Sequence, residues 1–92
     1  MQEYKIKPYS FEQAKKLNVE IKPSKVRNKK IDVFKDGKKV ASIGNIQYLD
    51  YPTYMEHDEQ LAEKRRKLYL ARNKHTMNVK NSPSFYSARI LW

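Results

Sequence analysis

The chain has 92 residues, a formal net charge of +10 and no cysteine. It is long enough for one small core over residues 1–92, and disulfides and thiolate metal sites are excluded. Hydrophobic residues make up 39%, and no apolar run approaches the roughly 18 residues of a membrane span, so a patterned domain without a membrane partner is expected in a reducing compartment.

Residues 3–7 alternate, with Tyr4 and Ile6 on one side, and predict a short strand. Ser10, with Gln13 three residues on, is a capping-box signature. It predicts a helix over about residues 11–18 with Phe11, Ala14 and Leu17 on one face and Asn18 as its C-cap. Residues 19–22 alternate again and stop before Pro23, and residues 24–30 form a basic connector. Asp36-Gly37 lies between two alternating segments, residues 31–34 and 40–43. That is a strong hairpin signal, because a type I′ turn needs positive φ at both central residues. The implied register pairs Val33 with Val40. Gly44-Asn45 marks another bend, after which residues 46–48 extend the sheet. Thr53, with Glu56 three residues on, predicts the start of one long helix over about residues 54–74. Residues 75–81 read as a loop, and Ser82-Pro83 starts a last short helix over residues 84–92. The expected fold is α+β: a small antiparallel sheet with a central hairpin, a short N-terminal helix, one long basic helix and a short C-terminal helix.

The long helix sorts its side chains into faces. Tyr54, Leu61 and Leu68 fall in one arc, with Met55, Ala62 and Tyr69 beside them, and this arc is expected to face the sheet. Arg65 and Arg72 project into that arc, so each is expected to lay its stem on the core or to pair with a carboxylate such as Asp32 or Asp50. Lys64, Lys67 and Lys74 lie opposite and form a stripe suited to a phosphate backbone; a solvated face supported by a Glu63–Lys67 pair is the plainer alternative. Lys29, Lys30, Lys38 and Lys39 flank the hairpin and are expected to gather at one end of the sheet. There they either meet phosphates or protect a strand edge. Trp92 is expected to close the core.

Two histidines without nearby ligands suggest no metal site, and two glycines leave no phosphate loop. No Ser–His or Cys–His nucleophile pattern occurs, so no enzyme activity and no cofactor are expected. From residue 64 onward the chain carries eight Lys or Arg and no acid. Self-repulsion on this scale is relieved by a polyanion, and nucleic acid is the first partner to consider.

The segments KPYSFEQAKKLNVEIKPS, KKIDVFKDGKKVASIG, DYPTY, AEKRRKLYLAR and ILW, in that order, span nearly the whole chain. Together they resemble a family of small basic proteins encoded by giant double-stranded DNA viruses. The family pattern has a His where this chain has Asn73, and a Gly near Asn81, so neither position is assigned chemistry here. The resemblance implies a viral origin, an α+β domain, and a location inside the infected host or packaged in the virion. It carries no activity and no site residues. The expected function is therefore binding of nucleic acid, most simply DNA, through phosphate contacts with little sequence preference, in genome packaging, compaction or replication. The alternative is a structural virion protein, such as a minor capsid component, whose positive face meets acidic capsid subunits.

Overall fold

Pro8, not Phe11, starts the first helix of the computed structural model, which describes residues 4–92. Helix α1 runs Pro8–Lys16 with Lys7 as N-cap. Pro at the first helical position gives up an N–H that has no partner there in any case. Ser10 therefore lies inside the first turn, buried, and donates its hydroxyl to the Ile90 carbonyl at 2.9 Å. Its apparent capping signature is used instead for a tertiary bond. The shift in helix start also changes the buried face: Ala14 is buried, whereas Phe11 is 51% exposed. Asn18, at φ 58°, turns the chain out of the helix. The strand predicted for residues 3–7 does not form over residues 4–7, although Ile6 still joins the core; Glu3 lies outside the described residues.

Three antiparallel strands follow in the order β1 (Glu20–Pro23), β2 (Lys29–Lys35), β3 (Lys38–Asn45). The hairpin turn is as the sequence requires, with Asp36 at φ 52° and Gly37 at φ 80°. Its register is not. Lys35 faces Lys38 and Phe34 faces Lys39, but Val33 faces Ala41, so Val40 is the extra residue of a bulge. Without the bulge Ile31 would face Ser42, and β3 would turn its apolar set away from the core. With it Ile31 faces Ile43, and Asp32 faces Ser42, whose hydroxyl donates to Asp32 Oδ1 at 2.7 Å. The sheet does not continue into residues 46–48. Asn45 Oδ1 accepts from Gln47 N at 2.9 Å and Asn45 O accepts from Tyr48 N at 3.0 Å, which bends the chain into a turn.

The single long helix of the sequence prediction is two helices, α2 (Tyr51–His57) and α3 (Glu59–Arg72). They part at Asp58, which is extended (φ −157°, ψ 105°) and accepts from Gln60 N and Leu61 N at 3.0 and 3.1 Å. A strong N-cap residue has thus won over helix continuation. Asp50, not Thr53, caps α2. Ser82 caps the last helix, α4 (Pro83–Ile90), with its hydroxyl accepting from Phe85 N at 3.1 Å.

The core joins Ile21, Ile31, Val33, Ala41 and Ile43 of the sheet to Ala14, Tyr86, Ile90 and Leu91. The element packed on β3 is α4, which also meets α1. The arc of α3 is therefore not pressed flat against the sheet: Ala62 is fully buried but Leu68 is exposed. At its far end α3 is held by Tyr69, whose ring stacks on Trp92 (centroids 4.6 Å apart, planes at 9°) and whose hydroxyl donates to Ser87 Oγ at 2.9 Å. Trp92 packs against the core, as expected from the sequence.

Candidate nucleic-acid interface

The hairpin separates the lysines that the sequence groups together. Lys29 faces Asn45 at one end of the sheet, whereas Lys38 faces Lys35 beside the turn at the other. At roughly 3.3 Å per residue the two ends of β2 lie about 20 Å apart. Lys30 is not a surface residue at all. It is 4% exposed, its Nζ lies 2.9 Å from Asp50 Oδ2, and it also donates to the Tyr48 carbonyl. Its assignment as a phosphate contact is corrected accordingly: the ammonium belongs to a buried ion pair.

Asp50 is the centre of that network. Its carboxylate, 1% exposed, also accepts from Thr53 N at 3.0 Å, Thr53 Oγ1 at 2.7 Å and Tyr4 OH at 2.6 Å. Burial pushes the Asp50 carboxyl up, but the hydrogen bonds from Thr53, Tyr4 and Lys30 outweigh it and hold the group below the usual carboxylate range. Burial, together with the bond to Asp50, pushes the Tyr4 hydroxyl well up. Four separate pieces of chain meet here: residue 4, β2, the 46–49 loop and the start of α2. No buried side-chain polar atom lacks a partner among the described residues.

Beside this pair a groove of about 680 Å³ opens between β3 and α3, with Ser87, Leu91 and Trp92 also among its lining residues. Residues 65, 68, 69 and 72 of α3 line one side, at the i, i+3, i+4, i+7 spacing of a single helix face. This is the arc read from the sequence as core. Arg65 and Arg72 sit on it, exposed, and neither has a carboxylate partner among the described residues. The expected pairing with Asp32 or Asp50 fails because both acids are already occupied. Asp50 is held by Lys30. Asp32 accepts from Ser24 Oγ at 2.6 Å, from Ser42 Oγ and from Lys25 N. Burial pushes Asp32 up, and these three bonds bring it back below the ordinary range. Lys29, exposed, stands across the groove on the sheet side.

Lys64 and Lys67 are exposed on α3 outside the groove lining, and Lys74 is exposed in the turn after Arg72. Glu63 does not pair with Lys67; it accepts from Tyr51 OH at 2.8 Å. Lys38 and Lys39 are exposed at the hairpin turn with Lys35, a separate basic patch remote from the groove. Of the twenty Lys and Arg side chains, Lys7 and Lys30 are the two that form ion pairs among the described residues. The excess positive charge is thus presented at the surface rather than neutralised within the fold. Arg65, Arg72, Tyr48 and Trp92 line this groove, whereas the sequence reads the two arginines as architectural and Trp92 as closing the core. The signal for the arginines is two guanidinium groups one heptad apart on a largely apolar arc; Tyr48 is one of seven tyrosines, and the sequence favours bracing of the sheet by the ring-rich stretch 48–54 over stacking on bases.

No family model, curated protein or solved structure matches the chain. No helix of the described residues is long and apolar enough to cross a membrane.

Proposed function

We propose that the protein binds nucleic acid through its phosphates, with little sequence preference and without catalysing a reaction. The observation that carries this reading is the pair Arg65 and Arg72, exposed on the groove face of α3 with no carboxylate to satisfy them among the described residues. A guanidinium offers a planar fork of donors that matches a phosphate with two bonds, and it stays charged at any working pH. Seven residues of helix place the two arginines about 10 Å apart along the axis. Lys29 adds a third cation across the groove, and Lys64, Lys67 and Lys74 continue the positive surface along and beyond α3. Contacts of this kind position a protein on a strand without reading bases. In the viral setting that the sequence resemblance implies, the role would be genome packaging, compaction or replication.

A second reading, a virion structural protein meeting acidic capsid subunits, is favoured by one feature. Ile46, Tyr48 and Leu49 form an exposed apolar stretch on one loop, the kind of surface that a permanent protein contact covers. The two readings part in a binding titration by fluorescence anisotropy at about 50 mM and about 200 mM salt. Phosphate neutralisation predicts clear binding at the lower salt and a steep loss at the higher. No binding to any nucleic acid at about 50 mM salt would reject the proposal in favour of the virion reading.

A further inference from the structure

The groove that carries the proposed phosphate contacts is also lined with aromatic rings, and the two features together define a narrower ligand. We infer that the groove takes a single strand of nucleic acid whose bases stack on Tyr48 and Trp92 while its phosphates lie on Arg65, Arg72 and Lys29. The inference rests on the phosphate-binding reading and names the ligand of that same site.

Tyr48 is the decisive residue. It is 68% exposed, more than any other large hydrophobic side chain among the described residues, and it stands on the groove wall. A ring so exposed on a slack loop would mean little. Here the loop is built. The Tyr48 carbonyl is held by the Lys30 ammonium, its N–H donates to Asn45 O, and Lys30 is itself fixed by Asp50. The buried ion pair therefore holds the backbone beneath an exposed ring, so stacking a base on it costs little ordering of the chain. Trp92, half-buried, lines the same groove and is backed by Tyr69, which is tied to Ser87.

The groove combines the two chemistries of a nucleotide strand, aromatic rings for the bases and exposed cations for the phosphates, among its lining residues. Each base presents a π-face that stacks on an aromatic side chain whatever its identity, which keeps the binding tolerant of sequence. In a duplex those faces are already stacked on their neighbours, so a duplex meets only the cations. An acidic peptide likewise satisfies the cations and leaves the rings in water. The groove's volume of about 680 Å³ falls within the roughly 300–1,000 Å³ of small-molecule sites, which is room for a few bases.

Trp92 is the sole tryptophan, so its fluorescence reports on the groove directly. The test titrates the full chain with oligothymidylate of about 12 nucleotides, with a duplex of matching length, and with polyglutamate, all at about 50 mM salt. The expected result is a change in Trp92 emission on adding the single strand, and affinity for it at least about 5-fold above the duplex. Tyr48→Ala should weaken single-strand binding by about 5- to 150-fold and erase the preference over duplex, and Tyr48→Phe should restore both. Far-UV circular dichroism checks that each variant keeps its fold. Equal affinity for strand and duplex, insensitive to Tyr48→Ala, overturns the stacking inference while leaving the phosphate reading in place. Polyglutamate binding as tightly as the oligonucleotide overturns it in favour of an acidic protein surface. Failure of the parent to bind either nucleic acid overturns both.

Discussion

Replacing Asp50 with Asn removes the charge of this side chain and keeps its shape. Asn is as good an N-cap as Asp, so the bonds that Thr53 N and Thr53 Oγ1 donate to Oδ1 survive the change, and α2 keeps its start. What is lost is the oxygen that accepts from Lys30 and from Tyr4. An amide nitrogen in its place would face an ammonium and a hydroxyl. Lys30, 4% exposed, is then left with the Tyr48 carbonyl as its single hydrogen-bond acceptor. Removing one member of a buried ion pair costs about 3–5 kcal/mol. A chain of this length has a stability of about 5–14 kcal/mol at ~0.05–0.15 kcal/mol per residue, so Asp50→Asn should remove about a fifth of the total or more. Lys30→Met should cost less, because Asp50 keeps three donors from Thr53 and Tyr4. The double variant should be more stable than Asp50→Asn alone, since the stranded ammonium is gone. Urea unfolding followed by far-UV circular dichroism at neutral pH measures all three. A loss below about 1 kcal/mol for Asp50→Asn, or a double variant weaker than Asp50→Asn, would refute the account of this network.

Gly37→Val should cost about 1–3 kcal/mol from backbone strain alone, since φ there is +80° and a Cβ would meet nothing within 4 Å. Gly44→Ala should cost more than Gly37→Ala, because its Cβ would lie 2.7 Å from Leu91 Cδ1 and 3.0 Å from Lys30 Cδ; equal urea midpoints would contradict that packing. Arg65→Ala and Arg72→Ala should each shift stability by no more than about 0.5 kcal/mol, as surface changes do; a larger loss in thermal melts would mean that the guanidinium groups are structural. Asp32 and Asp50 are held below the carboxylate value of about 3.9 that they take when unfolded, so the stability they contribute is fully present above that value and is lost as pH falls through their lowered folded values. The urea midpoint should therefore drop between about pH 4 and pH 2, and less so in Asp50→Asn. A midpoint unchanged across that range would show that the two acids carry no such linkage.

Features decided within a few residues were legible in the sequence. The Asp36-Gly37 turn is an example, since two adjacent positive φ values leave few other readings, and Ser82-Pro83 is another. The α+β class followed from these and from the alternation of β1 to β3. The rest turned on competition between sites. Asp58 stands in an acidic run that suits a first helical turn as well as an N-cap. Asp50 caps α2 and meets Lys30, a pairing between residues twenty apart. Lys30 looked like surface because its neighbours in sequence are basic, yet its burial is set by that distant carboxylate. The bulge at Val40 shifts the register by one residue, invisible to a pattern of period two on either side. Arg65 and Arg72 were expected to pack their stems on the core or to pair with a sheet carboxylate because the sheet was assigned to α3, whereas α4, shorter and more apolar, is the helix packed on β3.

In the proposed function, cations on the groove, rather than positive charge in general, meet phosphate. This is tested most directly by the salt slope of oligonucleotide binding, measured by anisotropy for the parent, for Arg65→Gln/Arg72→Gln and for Lys38→Gln/Lys39→Gln. Both pairs remove the same charge from exposed positions, one at the groove and one at the hairpin turn. Each lost phosphate contact should flatten the slope of log K against log salt by about 0.7–0.9. The arginine pair should therefore lower it by roughly 1.5 and weaken binding to all sequences alike, while the lysine pair leaves the slope near that of the parent. Equal slopes for the arginine variant and the parent, or an equal loss from the hairpin lysines, would contradict the assignment.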